Sequence, residues 1–134
     1  MIDTIPQRSW NFFNEQYWIA KNFIKPYTGI SDWRGLKVLE VGSAEGGALR
    51  YFHSLGCKCY GIEYSPSRCE IAKALNKDAE IQFIHGDITE RQSYSNFLKH
   101  KFDLIICCDV IEHIPQEKKR VALKNMGELL SNEG

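Results

Sequence analysis

Short apolar segments alternate with longer amphipathic segments along most of the chain. Four short segments rich in apolar, β-branched and aromatic residues predict buried strands: Lys37–Val41, Cys57–Glu63, Ile81–His85 and Phe102–Cys108. Five longer segments repeat apolar residues at helical spacing: Trp10–Ile24, Gly46–Leu55, Pro66–Asn76, Glu90–His100 and Pro115–Leu130. This alternation predicts an α/β fold, a Rossmann-like open parallel sheet with strand order 3-2-1-4 and helices on both faces.

Proline and glycine residues set the limits of these elements. Pro26 is expected to stop the first helix, and Gly29 and Gly35 mark the loop that follows it. The inner face of the last helix is expected to carry Val121, Leu123, Met126, Leu129 and Leu130. We divide the chain into an N-terminal helical extension, residues 1–33, and one α/β domain, residues 34–134.

The predicted strand at Phe102–Cys108 lacks a neighbour on one side. After the last helix, Leu130–Gly134 has the pattern of a helix end and turn that should feed a further strand. A long apolar strand edge is an aggregation liability that natural sheets avoid. We therefore expect either that the domain is truncated before its fifth strand or that a second copy or another partner covers this edge.

The composition is that of a globular protein and narrows the classes of function. The 134 residues suffice for one domain, and 43% of them are hydrophobic. Seventeen basic residues balance seventeen acidic ones, so no overall basic field indicates binding to nucleic acid or to an anionic membrane. No apolar run approaches the ~20 residues of a membrane span, and the N-terminus lacks the apolar run of a signal peptide.

The five cysteines fit neither a disulfide framework nor a zinc site. Their number is odd, there is no C-x-x-C pair, and no His/Cys cluster has zinc-ligand spacing. Four of them, Cys57, Cys59, Cys107 and Cys108, fall in predicted strands, where cysteine behaves as a small apolar residue. We therefore expect no metal, no cysteine nucleophile and a reducing, cytoplasmic setting.

The turn after the first strand carries the strongest candidate chemistry. It reads Glu40-Val-Gly-Ser-Ala-Glu-Gly-Gly47, and glycines at the carboxyl end of a strand let the backbone approach a ligand. The pattern Gly42-x-Ala44-x-x-Gly47, with Glu63 about twenty residues further on, also fits a dinucleotide site, and a tight turn without a ligand is a further alternative. Glu40 argues against NAD, because a carboxylate there opposes a diphosphate and favours a cation.

The same turn resembles the first motif of the class I S-adenosylmethionine-dependent methyltransferases, which is an acid, any residue and then alternating glycines. Here it reads Glu40-Val41-Gly42-Ser43-Ala44-Glu45-Gly46, followed by Gly47. Ala44 stands where the family has its middle glycine and adds one methyl group near the cofactor. The resemblance implies S-adenosylmethionine as cofactor and S-adenosylhomocysteine as product. Its methionine part would be held by Glu40, Gly42, Ser43, Ala44, Gly46 and Gly47.

Three later segments match the family in order and spacing. Glu63, with Tyr64 after it, matches the acid that accepts hydrogen bonds from both ribose hydroxyls. Asp87 and Ile88 match the turn whose acid and next amide read the adenine edge. Residues 109–114 resemble the D-V-[IL]-E-H segment of small-molecule methyltransferases, including quinone-biosynthesis O-methyltransferases. Each segment also has a structural interpretation, as a solvated acid, a helix cap or a fixed loop.

The last of these segments holds the candidate catalytic residues. The resemblance implies that Asp109 lies near the methionine end of the cofactor and that Asp109 and His113 face the acceptor. His113 or Glu112 could take the proton of a hydroxyl acceptor, or both could only fix the loop. The predicted function is methyl transfer to a small molecule. An NAD-dependent oxidoreductase and a non-catalytic binding module remain as alternatives.

The aromatic residues of the first helix also have two interpretations. Tyr17, Trp18 and Phe23 could form a lid over the cofactor or acceptor, as N-terminal helices do in relatives. Such a stripe more often packs on the sheet. The resemblance covers about residues 34–134, the cofactor half of the family's fold.

Overall fold

The structure is a computed structural model, and it describes residues 4–134. Its helices are α1 Gln7–Ile19, α2 Lys25–Thr28, α3 Gly47–Ser54, α4 Pro66–Leu75 and α5 Lys119–Leu129. Its strands are β1 Lys37–Val41, β2 Lys58–Glu63, β3 Ile81–His85 and β4 Leu104–Cys107. A π-helical turn occupies Ala20–Ile24, and 3₁₀ turns occupy Arg91–Phe97, Ile111–His113 and Gln116–Lys118. Within residues 4–134, no helix combines the length and the apolar character needed to cross a membrane.

The four strands form one parallel sheet in the order β3-β2-β1-β4, which confirms the predicted Rossmann-like fold. Val41 pairs with Ile62 on one side and with Cys107 on the other, and Glu63 pairs with His85. The carboxyl ends of all four strands therefore lie at one edge of the sheet. The loops that follow them meet above that edge, where open α/β sheets bind their ligands.

Packed side chains cover both faces of the sheet. One core cluster joins the sheet to α3 and to the π-helical turn, and it includes Val38 and Phe52. The other joins the sheet to α5 and to the 3₁₀ turn after β3, and it includes Leu39 and Met126. Neighbouring residues of β1 thus point to opposite faces, and both faces are buried, as a near-continuous apolar strand predicts.

Pro26 does not end the first helix, contrary to the prediction. The helix widens instead into the π-helical turn, where the Lys25 N–H donates to the carbonyl of Ala20. Pro26 then lies in the first turn of α2, where its missing N–H is not needed. The helical run ends at Gly29, whose φ of 69° is a left-handed conformation that glycine adopts freely.

The two later helices also differ from their predictions. The segment Glu90–His100 forms only the 3₁₀ turn, which is interrupted at Tyr94 by a φ of −123°. Val121 and Leu123, predicted to face inward, are exposed. The buried face of α5 consists of Ala122, Asn125, Met126 and Leu129. Asn125 explains this difference, because a polar residue on the buried face hides the true stripe from a count of apolar positions.

The outer edge of β4 is only partly paired within the described residues. Phe102, just before β4, donates its N–H to the carbonyl of Leu129 and accepts a hydrogen bond from the Ser131 N–H. This backbone pairing lies beside the start of β4, on the side away from β1. Whether a partner covers the rest of the edge stays a prediction.

The first helix packs so closely on the start of α3 that Gly47 has no space for a side chain. A Cβ on Gly47 would overlap the backbone carbonyl of Phe13 and lie 2.9 Å from Cβ of Gln16. A backbone carbonyl in a packed helix cannot move to relieve such an overlap, whereas the end of a flexible side chain can. Glycine at this position therefore sets the distance between α1 and α3.

We expect Gly47→Ala to lower the free energy of unfolding by about 2 kcal/mol or more, because α1 must move to admit the methyl group. Gly127→Ala is the matched control, since an added Cβ there meets nothing within 4 Å. Alanine should raise stability there by up to ~1 kcal/mol through helix propensity. Denaturant unfolding measures both variants, and a Gly47→Ala protein as stable as the wild type would contradict the close packing.

Candidate functional site

A cleft of about 770 Å³ opens at the carboxyl edge of the sheet. This volume lies within the range of small-molecule sites, ~300–1,000 Å³. Most of the residues predicted for the site line the cleft: Glu40, Gly42, Ala44, Glu63, Tyr64, Asp87, Ile88, Asp109 and His113. The sheet topology therefore brings together side chains that follow all four strands.

The glycine-rich turn follows β1 and contains three left-handed residues: Gly42, Ala44 and Gly46, with φ of 75°, 48° and 82°. A Cβ on Gly42 would overlap the side chain of Val110, so the backbone comes close to the loop after β4. Ala44, the departure from the glycine pattern, adopts a conformation that is unfavourable by roughly 1–2 kcal/mol for a residue with a Cβ. Tertiary contacts must hold it there.

Glu63 supplies the contact that holds Ala44. Its Oε1 accepts a hydrogen bond of 2.8 Å from the Ala44 N–H, and its Oε2 accepts one of 2.7 Å from the Ser65 N–H. The residue is buried yet lines the cleft, so it is not a solvated acid at a strand end. Each carboxylate oxygen has a second lone pair, which leaves capacity for hydroxyl donors from a ligand.

Glu40 is a buried carboxyl group without a hydrogen-bond partner at Oε1 among the described residues. Burial raises its pKa well above the usual value of 4.5, and the neighbouring Glu63 raises it further. A buried charge with no partner is strongly unfavourable in a folded protein. Because Glu40 also lines the cleft, a cation bound there would favour the ionised form of this carboxyl group.

The turn after β3 is fixed by Asp87. Its Oδ1 accepts hydrogen bonds from both the backbone N–H and the hydroxyl of Thr89, at 2.8 and 2.7 Å. Ile88 is buried, and its carbonyl accepts a hydrogen bond of 2.8 Å from the Asn125 side chain. These bonds hold the backbone of residues 87–89 in one position against the cleft.

The loop after β4 contains a left-handed residue, Asp109, whose φ is 56°. His113 lines the cleft and is largely exposed, whereas Glu112 is not among the lining residues. Nε2 of His113 lies 3.9 Å from Oε1 of Glu112, which is too long for a hydrogen bond. Of the two candidate catalytic residues, His113 alone borders the cleft in this geometry.

Three residues predicted to contact the cofactor do not line the cleft: Ser43, Gly46 and Gly47. The three positions are buried behind the turn. A Cβ on Gly46 would meet the Phe83 ring at 2.5 Å, and the Gly47 N–H is bound to a side chain of α1. These residues shape the turn through contacts with the protein rather than border the cleft.

The first helix contributes a wall of the cleft, though not through the aromatic residues proposed as a lid. Tyr17 packs edge-on against Tyr51 with ring centroids 5.3 Å apart. Trp18 and Phe23 pack on each other and are exposed. The residues of the helical region that line the cleft are Phe12, Glu15, Gln16, Ile19 and Ile24. These residues recur mostly three or four positions apart, which places them on one face of the helix. This spacing is the sequence pattern that could have identified them as a wall of the cleft.

Cys108, predicted to pack within a strand, lies just beyond β4 and lines the cleft. Burial raises the pKa of its thiol, and Glu40 and Asp109 raise it further. The thiol is therefore held protonated and is a poor nucleophile. Among residues 4–134, no group of three or more His, Cys, Asp or Glu side chains is arranged to hold a metal ion.

Comparison with protein families gives one match over most of the chain. The family described as "Methyltransferase domain" matches residues 38–134. A protein of Oryza sativa subsp. japonica described as "Probable tocopherol O-methyltransferase, chloroplastic" is 32% identical over 90 residues. That alignment covers 63% of this chain and 24% of the rice protein, so the chain spans about a quarter of this relative's length.

Solved structures share the fold at low sequence identity. A TehB-like SAM-dependent methyltransferase from Corynebacterium glutamicum superposes with a TM-score of 0.69 and 22% identity, covering 96% of this chain and 70% of that one. Magnesium protoporphyrin IX methyltransferase from Synechocystis PCC 6803, solved with bound SAM, gives a TM-score of 0.71 and 18% identity. The coverage there is 98% of this chain and 61% of the other. These two comparisons establish the fold.

The raised pKa of Glu40 makes stability depend on pH. An acid that holds its proton more tightly in the folded state than in the unfolded state loses folding free energy as pH rises above its unfolded pKa. We therefore expect Glu40→Gln to be more thermostable than the wild type at pH 8, with the advantage shrinking towards pH 5. Thermal unfolding at both pH values measures this.

Glu70→Gln is a control of opposite sign, because a hydrogen bond from Lys73 lowers the pKa of Glu70. This variant should not gain stability at pH 8. A Glu40→Gln protein whose melting temperature tracks the wild type at every pH would contradict the buried, unpaired carboxyl group.

Proposed function

The chain belongs to the methyltransferase-domain family, and from that premise we propose that it binds S-adenosylmethionine in the cleft above Gly42 and serves methyl transfer to a small-molecule acceptor. Membership confirms the family predicted from four short segments. The match to the family begins at residue 38, so we keep residues 1–33 as a helical extension of the domain. The activity of the whole protein is part of the proposal.

The observation that carries the proposal is the buried carboxyl group of Glu40, which borders the cleft and whose Oε1 has no hydrogen-bond partner within residues 4–134. A ligand with an ammonium and a sulfonium group would favour the ionised form of this carboxyl group, whereas the diphosphate of NAD would disfavour it. The residues present thus fit S-adenosylmethionine.

Each strand end contributes one part of the cofactor site. Glu40 would pair with the ammonium group, and Gly42 and Ala44 would border the methionine part. Glu63 would accept hydrogen bonds from the ribose hydroxyls, with Tyr64 exposed beside it. Charge-assisted bonds of this kind are worth about 1.5–3 kcal/mol each. Asp87 with Ile88 would border the adenine, where Asp87 and Thr89 hold the backbone in place.

In the proposed reaction the protein mainly positions the acceptor beside the methyl group of the cofactor. When bound, the cofactor supplies a methyl group activated by a positive sulfur. The loop of Asp109–His113 would border the acceptor beside that methyl group and exclude water from it. If the acceptor is a hydroxyl group, His113 would accept its proton as the oxygen gains the methyl group. Glu112 is assigned no direct contact, since it does not border the cleft.

We favour a small-molecule acceptor for two reasons. The cleft is bordered by apolar side chains of the first helical region and of the loop after β4, among them Ile19, Ile24 and Ile114. The rice relative's name gives tocopherol as its substrate, and the Synechocystis enzyme's gives magnesium protoporphyrin IX. Both named substrates are small molecules, so they are the first acceptors to test.

The setting and the assembly of the protein are further proposals. All five cysteines are free, which supports a reducing, cytoplasmic compartment. The outer edge of β4 supports a homodimer or another partner across that edge. Light scattering on the purified chain tests the second point, and a mass of one chain at all concentrations would contradict a homodimer.

The binding proposal is tested by calorimetry. We expect the wild type to bind S-adenosylhomocysteine and not NAD. We expect Glu63→Ala to weaken that binding about 100-fold or more, because two charge-assisted hydrogen bonds to the ribose are lost. Glu80→Ala is the control, since Glu80 is exposed and precedes β3 at the opposite edge of the sheet. Binding of NAD alone would favour the oxidoreductase, and a stable dimer without cofactor affinity would favour a binding module.

The role of His113 is tested by kinetics with labelled S-adenosylmethionine and tocopherol as acceptor. Loss of a general base lowers kcat about 10²–10⁴-fold, so we expect at least 100-fold for His113→Ala, with unchanged affinity for S-adenosylhomocysteine. Glu112→Ala should change kcat by less than about threefold because Glu112 lies off the cleft. Equal losses in the two variants would contradict the assignment.

A further inference from the structure

The glycine-rich turn is tied to α1 by one side chain, Gln16. Its Oε1 accepts a hydrogen bond of 3.0 Å from the Gly47 N–H, the first amide of α3. Its Nε2 donates a hydrogen bond of 2.9 Å to Oε2 of Glu45. Both ends of the amide are therefore used on the turn, at positions 29 and 31 residues away in sequence.

Glu45, which accepts the hydrogen bond from Gln16, also links the turn to α4. Its carboxylate is almost fully buried, with a side chain 4% exposed, and it forms an ion pair of 3.0 Å with Arg68 of α4. The guanidinium of Arg68 also lies 6.0 Å from the ring centroid of Phe12 on α1. Gln16, Glu45 and Arg68, the turn clamp, thus join α1, the turn and α4 around one buried charge.

The turn requires such a clamp. Ala44 adjoins Glu45 and is held in a left-handed conformation that a non-glycine residue adopts only under constraint from its surroundings. Glu63 constrains it from β2 through the Ala44 N–H. Gln16 constrains the other half of the turn, and Gln16 and Arg68 themselves border the cleft. Two contacts on opposite sides therefore fix the backbone that faces the ligand.

We propose that Gln16 is a positioning residue, which holds the glycine-rich turn in its cofactor-binding conformation from outside the part of the chain that matches the family. The family match begins at residue 38, whereas Gln16 lies in α1. The helical extension is then part of the cofactor site. This inference rests on the proposed function only for its effect on affinity, since the clamp itself needs no ligand.

The first test replaces Gln16 by a side chain of similar length without hydrogen bonds. Gln16→Met should weaken S-adenosylhomocysteine binding about tenfold by calorimetry, and it should raise the hydrogen-exchange rate of the Gly47 amide about tenfold. Gln7→Met is the matched control on the same helix, because within residues 4–134 the side chain of Gln7 hydrogen-bonds to Asn11 one turn away and not to the glycine-rich turn. It should change neither quantity by more than about twofold.

The second test exchanges the two groups. Gln16→Glu alone places a carboxylate against Glu45 and should weaken binding more than Gln16→Met does. Adding Glu45→Gln restores a donor and an acceptor in reversed order but removes the carboxylate that pairs with Arg68, so the double variant should bind more tightly than Gln16→Glu without reaching wild-type affinity. A role in folding alone would lower the melting temperature and leave the affinity of the folded protein unchanged.

The outcomes separate the two proposals. If the wild type binds no S-adenosylhomocysteine, the proposed function fails, while the exchange rate of Gly47 still reports on the clamp. If the wild type binds and Gln16→Met keeps its affinity, or if the double variant binds no better than Gln16→Glu, the positioning role is overturned. Unchanged exchange at Gly47 in Gln16→Met would overturn the clamp itself.

Discussion

Two carboxyl groups, Glu40 and Glu63, lie at the carboxyl ends of neighbouring strands beside one glycine-rich turn. The site depends on the difference between their hydrogen-bond partners. Glu63 accepts hydrogen bonds from Ala44 and Ser65 and fixes the turn. Glu40 has no partner at Oε1 within the described residues, and burial and Glu63 together raise its pKa. A positively charged group bound in the cleft would therefore stabilise the ionised form of Glu40 beside the glycine-rich turn.

The remaining parts of the fold hold that arrangement in place. The parallel sheet aligns the strand ends, and α1 presses on the start of α3 closely enough to require Gly47. Gln16 then reaches from α1 to the turn, with Glu45 and Arg68 completing the clamp. Cofactor affinity, in this view, comes from several elements that each constrain the same backbone segment.

Features of the fold that depend on neighbouring residues could be predicted from the sequence, whereas features that depend on distant contacts could not. Apolar runs bounded by breakers gave the limits of Lys37–Val41 and Ile81–His85 as the structure has them. Pro26 misled because the π-helical turn before it has no distinctive pattern. Asn125 hid the buried face of α5. The hydrogen bond from Gln16 to Glu45 joins residues 29 positions apart, so it could be identified only from the folded structure.

The most direct test of the central claim is a crystal structure of the chain with S-adenosylhomocysteine. We expect density in the cleft above Gly42, with the ammonium group against Glu40, the ribose hydroxyls within hydrogen-bond distance of Glu63, and the adenine beside Asp87 and Ile88. A cofactor bound elsewhere, or a cleft in which Glu40 remains unpaired while the ligand is present at saturating concentration, would contradict it.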